Sequence, residues 1–251
     1  MLIDAHTHLT PQQVRHKDLL PENMLLLVNT ATAQEAQWLF GMREPRFVPT
    51  VGLHPWEAGR HGLEELAPFW EMESWLAKCR VIGEIGLDSV WCDVPAARQE
   101  EVFCRQLDLA QRLQKPVILH VKGCEQRAAH LLSCFSMPKL VHWYSSPDHL
   151  DEYLAMDCYF TVGPHLEDEA VRQVALRAPL SRLLLETDGL DAIAWATGRH
   201  ISMKEYAGFL REQLKRVAAL RGIAPHELER QMEHTLCTFL GSAPVIRRTF
   251  A

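Results

Sequence analysis

A chain of 251 residues with 47% hydrophobic and 23% charged residues has the balance of a globular protein, and it is long enough to bury a large core. No apolar run approaches the length needed to span a bilayer. A net charge of -6 and a pI near 6.1 exclude a general electrostatic attraction for nucleic acid, although bound cations would supply positive charge at one place. The opening MLIDAHTH has no basic segment followed by a cleavable apolar one. Seven cysteines (Cys79, Cys92, Cys104, Cys124, Cys134, Cys158 and Cys237) are scattered without a CxxC pair, which reads as reduced thiols. A cytoplasmic protein is expected, with no membrane association and no obligate protein partner.

Short apolar runs suited to buried parallel strands recur along the chain. They are Leu2-Ile3, Leu25 to Asn29, Phe47 to Val51, Val81 to Ile85, Val117 to Val121, Leu140 to Trp143, Tyr159 to Val162 and Leu183 to Glu186. Between them, Leu63 to Cys79, Pro95 to Leu113, Glu125 to Phe135, His149 to Met156, Glu167 to Ala178 and Met203 to Arg221 place apolar residues at helical spacing. Pro95 opens its helix in the first turn, and Pro147-Asp148 marks another helix start. A final helix, Pro225 to Phe239, is expected to pack outside. About eight strands alternating with helices predict an α/β fold, a closed TIM (β/α)8 barrel formed as a single domain over residues 1–251. The competing open, doubly wound sheet usually carries a glycine-rich turn after its first strand, and here that turn is Asp4-Ala5-His6-Thr7-His8.

Residues two apart in a strand point to one side, so His6 and His8 can reach a single ion. Alone, the pair reads equally as a polar strand-to-loop turn. Catalytic groups of such a barrel stand at the carboxyl ends of the strands. Those ends give His6 and His8, then Gly52-Leu53-His54-Pro55, then Glu84 in Gly83-Glu84-Ile85-Gly86-Leu87-Asp88, then His120, His142, and Asp188 in Leu185-Glu186-Thr187-Asp188. With His54 set aside, the other six form a coherent dinuclear metal site. A lone strand-end histidine is commonly a hydrogen-bonded turn residue and a lone aspartate a helix cap. Glu84 is different, since a carboxylate buried in an apolar strand is costly unless an ion or hydrogen bonds compensate it. His165, His200 and His234 receive no role, and His165 is expected in a solvated loop.

Six segments together carry a family resemblance: DAHTHLT at the start, VGLHPWEA at 51–58, GEIGLD at 83–88, RQEEVFCRQLDLAQRLQKPVILH at 98–120, VHWYSS at 141–146 and LLLETD at 183–188. In them the chain resembles the TatD family of metal-dependent hydrolases, within the amidohydrolase-like barrel superfamily. The resemblance implies one metal held by His6, His8, Glu84 and Asp188, and a second held by Glu84, His120 and His142, with Glu84 bridging. Imidazole and carboxylate ligands without thiolate suit two divalent ions drawn from zinc, magnesium, manganese or nickel. The implied reaction is phosphodiester hydrolysis, chiefly DNase or 3′-to-5′ exonuclease activity on a nucleic-acid strand end or a small phosphodiester. A water activated between the ions would attack, and Asp188 would accept its proton.

Several positions depart from the family pattern. Val121-Lys122-Gly123 replaces a Ser-Arg-Asp type sequence, so Lys122 would offer phosphate a positive charge without arginine's fork. Trp143-Tyr144-Ser145-Ser146 replaces Cys-Phe-Ser-Gly, Gly189-Leu190-Asp191 replaces proline and an aromatic, and Thr235 stands for an asparagine. His54 is expected beside the metals, either touching substrate or fixing the turn before Pro55. Trp56, Trp91 and Trp143 are candidate stacking aromatics at the mouth, or loop and core anchors. Two other functions use the same ligands: a small-molecule amide or ester hydrolase of the deacylase kind, and a metal-binding scaffold without catalysis.

Overall fold

Apolar runs covered on both faces belong in the centre of a layered α/β fold. In the computed structural model, which describes residues 1–59 and 74–241, they form eight parallel strands. These are β1 (Leu2–Thr7), β2 (Met24–Thr30), β3 (Phe47–Val51), β4 (Val81–Asp88), β5 (Val117–Lys122), β6 (Lys139–Val141), β7 (Tyr159–Val162) and β8 (Leu183–Leu185). Each pairs with the next in sequence order, from β1 through β8. Every residue of the set is buried except Val48 and Pro49 of β3, which are partly covered.

The seam between β8 and β1 is drawn together by polar groups. The Asp188 amide donates to the His6 carbonyl at 3.1 Å, and the Thr187 amide donates to Asp4 Oδ1 at 3.1 Å. Asp4 Oδ2 also accepts from Thr187 Oγ1 at 2.7 Å and from the Tyr206 hydroxyl at 2.6 Å. Burial pushes the Asp4 carboxyl up to about 7 despite these donors. The result is a nearly closed barrel whose first and last strands are drawn together at the carboxyl end, where His6 and Asp188 stand.

Helices cover the outside. They are α1 (Pro11–Val14), α2 (Ala33–Met42), α3 (Ala96–Leu113), α4 (Glu125–Leu132), α5 (Leu150–Ala155), α6 (Glu169–Arg177), α7 (Leu190–Thr197), α8 (Met203–Arg221) and α9 (Pro225–Phe239). In α3, Val102, Phe103, Gln106, Leu107 and Ala110 form a buried stripe at helical spacing. The expected helices at 203–221 and 225–239 have the expected bounds, and α9 packs across β1 and β8. Of the helix expected at 63–79, residues 63–73 lie outside the described residues and 74–78 are helical.

Four details correct the sequence reading. Strands β4 and β5 continue to Asp88 and Lys122, so Glu84 and His120 stand within strands and not at their ends. Pro95 is the residue before α3 and not inside its first turn. Pro147 lies outside α5, whose cap is His149 in a left-handed conformation. Three helices, α1, α2 and α7, lie where none was expected, and α7 departs at once from the residue after Asp188.

Gly86 pairs with His120 across β4 and β5, and a Cβ on Gly86 would lie 1.8 Å from the His120 carbonyl oxygen. Gly86→Ala must therefore push apart the two strands that carry Glu84 and His120. We expect it to lower the urea unfolding midpoint, at a cost of about 1–3 kcal/mol; an unchanged midpoint would show that the strands separate freely. A second expectation concerns Glu44, whose oxygens accept from Arg46 Nε and Lys17 Nζ, both at 2.7 Å. The Arg46 contact holds its carboxyl down at about 2, below its ordinary 4.5. The stabilisation is thus full above pH 4.5 and is lost as pH falls toward 2. Glu44→Gln is expected to cost about 1 kcal/mol at neutral pH, solvent screening limiting the effect. Urea titrations of both proteins should converge in acid, and a gap that stays constant with pH would refute the assignment.

Candidate metal centre

Glu84 projects from β4 into the carboxyl end of the barrel, and its two oxygens meet two different sets of side chains. Oε2 lies 3.1 Å from His8 Nε2 and 3.4 Å from His6 Nε2. Asp188 Oδ1 completes that set, 3.2 Å from His6 Nε2 and 3.6 Å from His8 Nε2. Oε1 lies 2.8 Å from His120 Nδ1, 2.9 Å from His142 Nε2 and 3.4 Å from His54 Nε2. The rings of His6 and His142 stack at 4.0 Å between the sets. All six expected ligands are therefore brought together.

The partner of each ring's other nitrogen decides what it can offer an ion. His120 Nε2 lies 3.0 Å from Asp88 Oδ2, an interaction that needs a proton on Nε2 and leaves the Nδ1 lone pair facing Glu84. His142 Nδ1 turns toward Glu186 Oε1 at 3.6 Å, leaving Nε2 facing inward. The two inward nitrogens, His120 Nδ1 and His142 Nε2, are only 3.1 Å apart. In neutral rings so arranged, two lone pairs point at each other, which a shared cation relieves. His6 leads to the same conclusion: it is buried, and neither ring nitrogen has a hydrogen bond among the described residues, although Nε2 is close to both carboxylates. These donors fit divalent metal.

His54 differs from the others. Its Nδ1 accepts the Trp56 amide at 3.2 Å, so in the neutral ring the proton sits on Nε2 and points at Glu84 Oε1. Burial pushes His54 down, which keeps the ring neutral. It converges with Glu84 and His120 as a metal ligand would, yet it presents a proton and not a lone pair. His54 fixes the turn at Pro55 and lines the cavity.

Protonation of the carboxylates is set by their surroundings. Burial alone would raise Glu84, but His142, His54 and His6 around it hold it well below the usual carboxylate range. Asp188, which burial also raises, is held down by the His6 contact. Asp188 has φ +56°, a conformation that a non-glycine residue adopts at a cost and that functional sites often retain.

Two glutamines of α3 explain how the loops around the site are placed. Gln106 pairs with both peptide groups of Leu53, accepting its amide at 2.7 Å and donating to its carbonyl at 3.0 Å. Gln99, two turns earlier, does the same for Asp88, at 2.8 Å and 2.9 Å. Asp88 in turn accepts Trp56 Nε1 at 2.7 Å and the amides of Val90 and Trp91 at 2.7 Å and 2.9 Å. Sequence reading passed over Asp88 and Glu186 as participants. Both are acids within or beside buried strands, the same signal that singled out Glu84.

A cavity of about 720 Å3 opens above these groups. Lys122 lines it, its Nζ donating to the Trp143 carbonyl at 3.0 Å and Ser145 Oγ at 2.5 Å. Trp56, Trp91 and Trp143 line it as expected, joined by Trp195 of α7, which sequence reading did not mark. His165, expected in a solvated loop, is half-buried in the same wall. The departures are accommodated locally. A Cβ on Gly189 would lie 2.8 Å from the His8 carbonyl oxygen, and Thr235 is buried with Oγ1 donating to the Leu180 carbonyl at 3.2 Å.

The family model described as TatD related DNase matches residues 3–241. A 3′-5′ ssDNA/RNA exonuclease TatD of Rahnella sp. is 31% identical over 215 residues, 81% of each chain. The uncharacterized metal-dependent hydrolase YjjV of Escherichia coli K12 is 33% identical over 150 residues, spanning 56% of this chain and 57% of that relative. The crystal structure of that bacterium's TatD homolog YJJV superposes with a TM-score of 0.80 over 96% of this chain and 98% of the other, at 24% identity, a likeness of fold. With that model running from the first strand to the end of the last helix, over a barrel whose mouth gathers histidines and carboxylates around Glu84, the chain belongs to the TatD related DNase family of metal-dependent hydrolases.

Proposed function

We propose that this chain hydrolyses phosphodiester bonds in nucleic acid, acting on a strand end or a small phosphodiester, with two divalent cations in the barrel mouth. One cation is held by His6, His8, Asp188 and Glu84, the other by His120, His142 and Glu84. The observation that carries this reading is the division of labour at Glu84, whose two oxygens face separate ligand sets. Zinc, magnesium, manganese and nickel all suit such donors. When bound, divalent ions supply Lewis acidity for the phosphoryl oxygens and lower the pKa of a water.

The protein's own groups do the rest. Asp188 lines the cavity and is held ionised at neutral pH, so it takes the proton of the attacking water and returns it to the leaving oxygen. His54 points its Nε2 proton at Glu84 and fixes the cavity wall beside it, where substrate passes. Lys122, with two of its donors occupied, has one left for a non-bridging phosphate oxygen. Asp88 holds the tautomer of His120, and Glu186 Oε1 lies 3.6 Å from His142 Nδ1.

The nucleic-acid substrate follows the activity of the relatives, several of which are 3′-5′ ssDNA/RNA exonucleases. That activity does not favour the amide or ester alternative. Among the described residues no helix is long and apolar enough to cross a membrane. All seven cysteines are free thiols, which supports a reducing compartment such as the cytoplasm. The whole chain, 1–251, works as one domain in this reading.

Stripping metal with a chelator is expected to abolish cleavage of single-stranded DNA, and Glu84→Gln to lower kcat by roughly 10²–10³-fold. Undiminished turnover by stripped protein would end the proposal. Asp88→Asn removes the charge behind His120, so metal affinity should fall about 10–100-fold while activity returns at saturating metal. Competition titration against a chelating dye reads that loss, and an affinity equal to the parent's would remove Asp88 from the site.

A further inference from the structure

The wall above the ligands is not the basic surface that a run of phosphates calls for. Among the described residues lining it, Lys122 is the one lysine or arginine, facing Glu84, Asp168, Asp188 and Asp191. Its ammonium is already tied to Trp143 and Ser145. An adjoining cavity shares His165 with this one and contains Arg199 and Arg216, but these pair with Glu212 and Glu167 at 3.2 Å and 2.6 Å. Among the described residues neither cavity presents a track of unpaired positive charge.

What the wall does present is indole. Trp91 comes from the loop after β4, Trp143 from the residues after β6, and Trp195 from α7. The Trp91 and Trp195 rings meet at 6.0 Å and 82°, and the Trp143 and Trp195 rings at 5.9 Å and 71°. Lys122 Nζ sits 5.7 Å from the Trp91 ring and 5.8 Å from the Trp143 ring. Trp143 is seated where a Cβ on Gly163 would lie 2.6 Å from its ring, and the Trp91 amide is bonded to Asp88. These anchors fix the platform, yet Trp195 is 70% and Trp91 53% exposed. Large indole faces left open beside a reaction centre are surfaces with an occupant.

We infer that Trp91 and Trp195 are specificity-determining residues that stack an unpaired base next to the scissile phosphate. The site therefore takes single-stranded ends and very short oligonucleotides, reading base faces and not a phosphate track. Base-paired ends are refused because their faces are already stacked. This rests on the phosphodiesterase reading of the same site. Stacking a base on an aromatic is worth enough to change affinity about tenfold for each ring removed. With a single lysine or arginine among the described residues of the mouth, the salt dependence on a single strand corresponds to a log–log slope of about 0.7.

The test compares parent, Trp91→Ala, Trp195→Ala and Trp195→Phe in the metal-loaded enzyme, using a single-stranded trinucleotide, a longer single strand and a blunt duplex. Each alanine variant should raise KM for the trinucleotide about tenfold with kcat within about twofold, and Trp195→Phe should restore most of the loss. The parent should cleave trinucleotide and longer strand with similar KM, leave the duplex intact, and show a salt slope of about 0.7 or less. Unchanged KM in both alanine variants, or a steep salt slope with KM falling as the strand lengthens, would overturn the inference. Quenching of tryptophan fluorescence by a phosphorothioate dinucleotide, weakened in both alanine variants, reads stacking apart from cleavage. Quenching without hydrolysis by the parent would remove the phosphodiesterase reading and leave the stacking; hydrolysis without quenching would do the reverse.

Discussion

Glu84 is the constraint around which this structure is built. A buried carboxylate in an apolar strand costs several kcal/mol unless its surroundings answer the charge. Here five imidazoles surround it, with ring nitrogens 2.8 Å to 3.4 Å from its oxygens. Four of the five also direct a nitrogen toward the positions where cations are proposed. Only His54 presents a proton. The carboxylate thus separates the histidines into candidate ligands and a hydrogen-bond donor, a separation enforced from outside by Asp88 at His120 and by the Trp56 amide at His54.

The scaffold explains how such a crowd of polar groups is held together. Strands β4 and β5 approach closely because Gly86 has no Cβ to meet the His120 carbonyl. The loop bearing His54 and the end of β4 bearing Asp88 are fixed by the side-chain amides of Gln106 and Gln99, each satisfying both peptide groups of one residue. One helix face therefore sets the position of the two segments relative to one another. Asp4, Thr187 and Tyr206 perform the equivalent task at the seam, where the chain's two ends bring His6 and Asp188 together.

Much of this was legible in the sequence because its signals are local. Strand order followed from apolar runs, and the ligands followed from their place along those runs. What escaped was set by tertiary packing. The helix α7 was hidden because its residues are apolar without a clear stripe, and with it went Trp195, whose importance depends on three loops converging. Gln99 and Gln106 look like ordinary surface residues of an amphipathic helix until the loops they clasp are in place. Asp88 and Glu186 were within reach of the rule applied to Glu84, since an acid in a buried run calls for a partner. The role of His54 required knowing that the Trp56 amide occupies Nδ1, which spacing alone does not reveal.

The departures at Lys122, Trp143 and Gly189 form one connected change. Gly189 allows the chain to pass close over the His8 carbonyl and start α7 immediately, which brings Trp195 to the mouth. Trp143 fills the space over Gly163 and meets Trp195 edge to face. Lys122, reaching between Trp143 and Trp91, spends one donor on the Trp143 carbonyl and another on Ser145 Oγ. A cation held this way serves the aromatic wall first and phosphate second. In the proposed reading, charge for the reaction is concentrated at the candidate ligands below, where it would act on one phosphoryl group, while the mouth would discriminate by shape and stacking. That arrangement reconciles a polyanionic substrate with a chain of net charge -6.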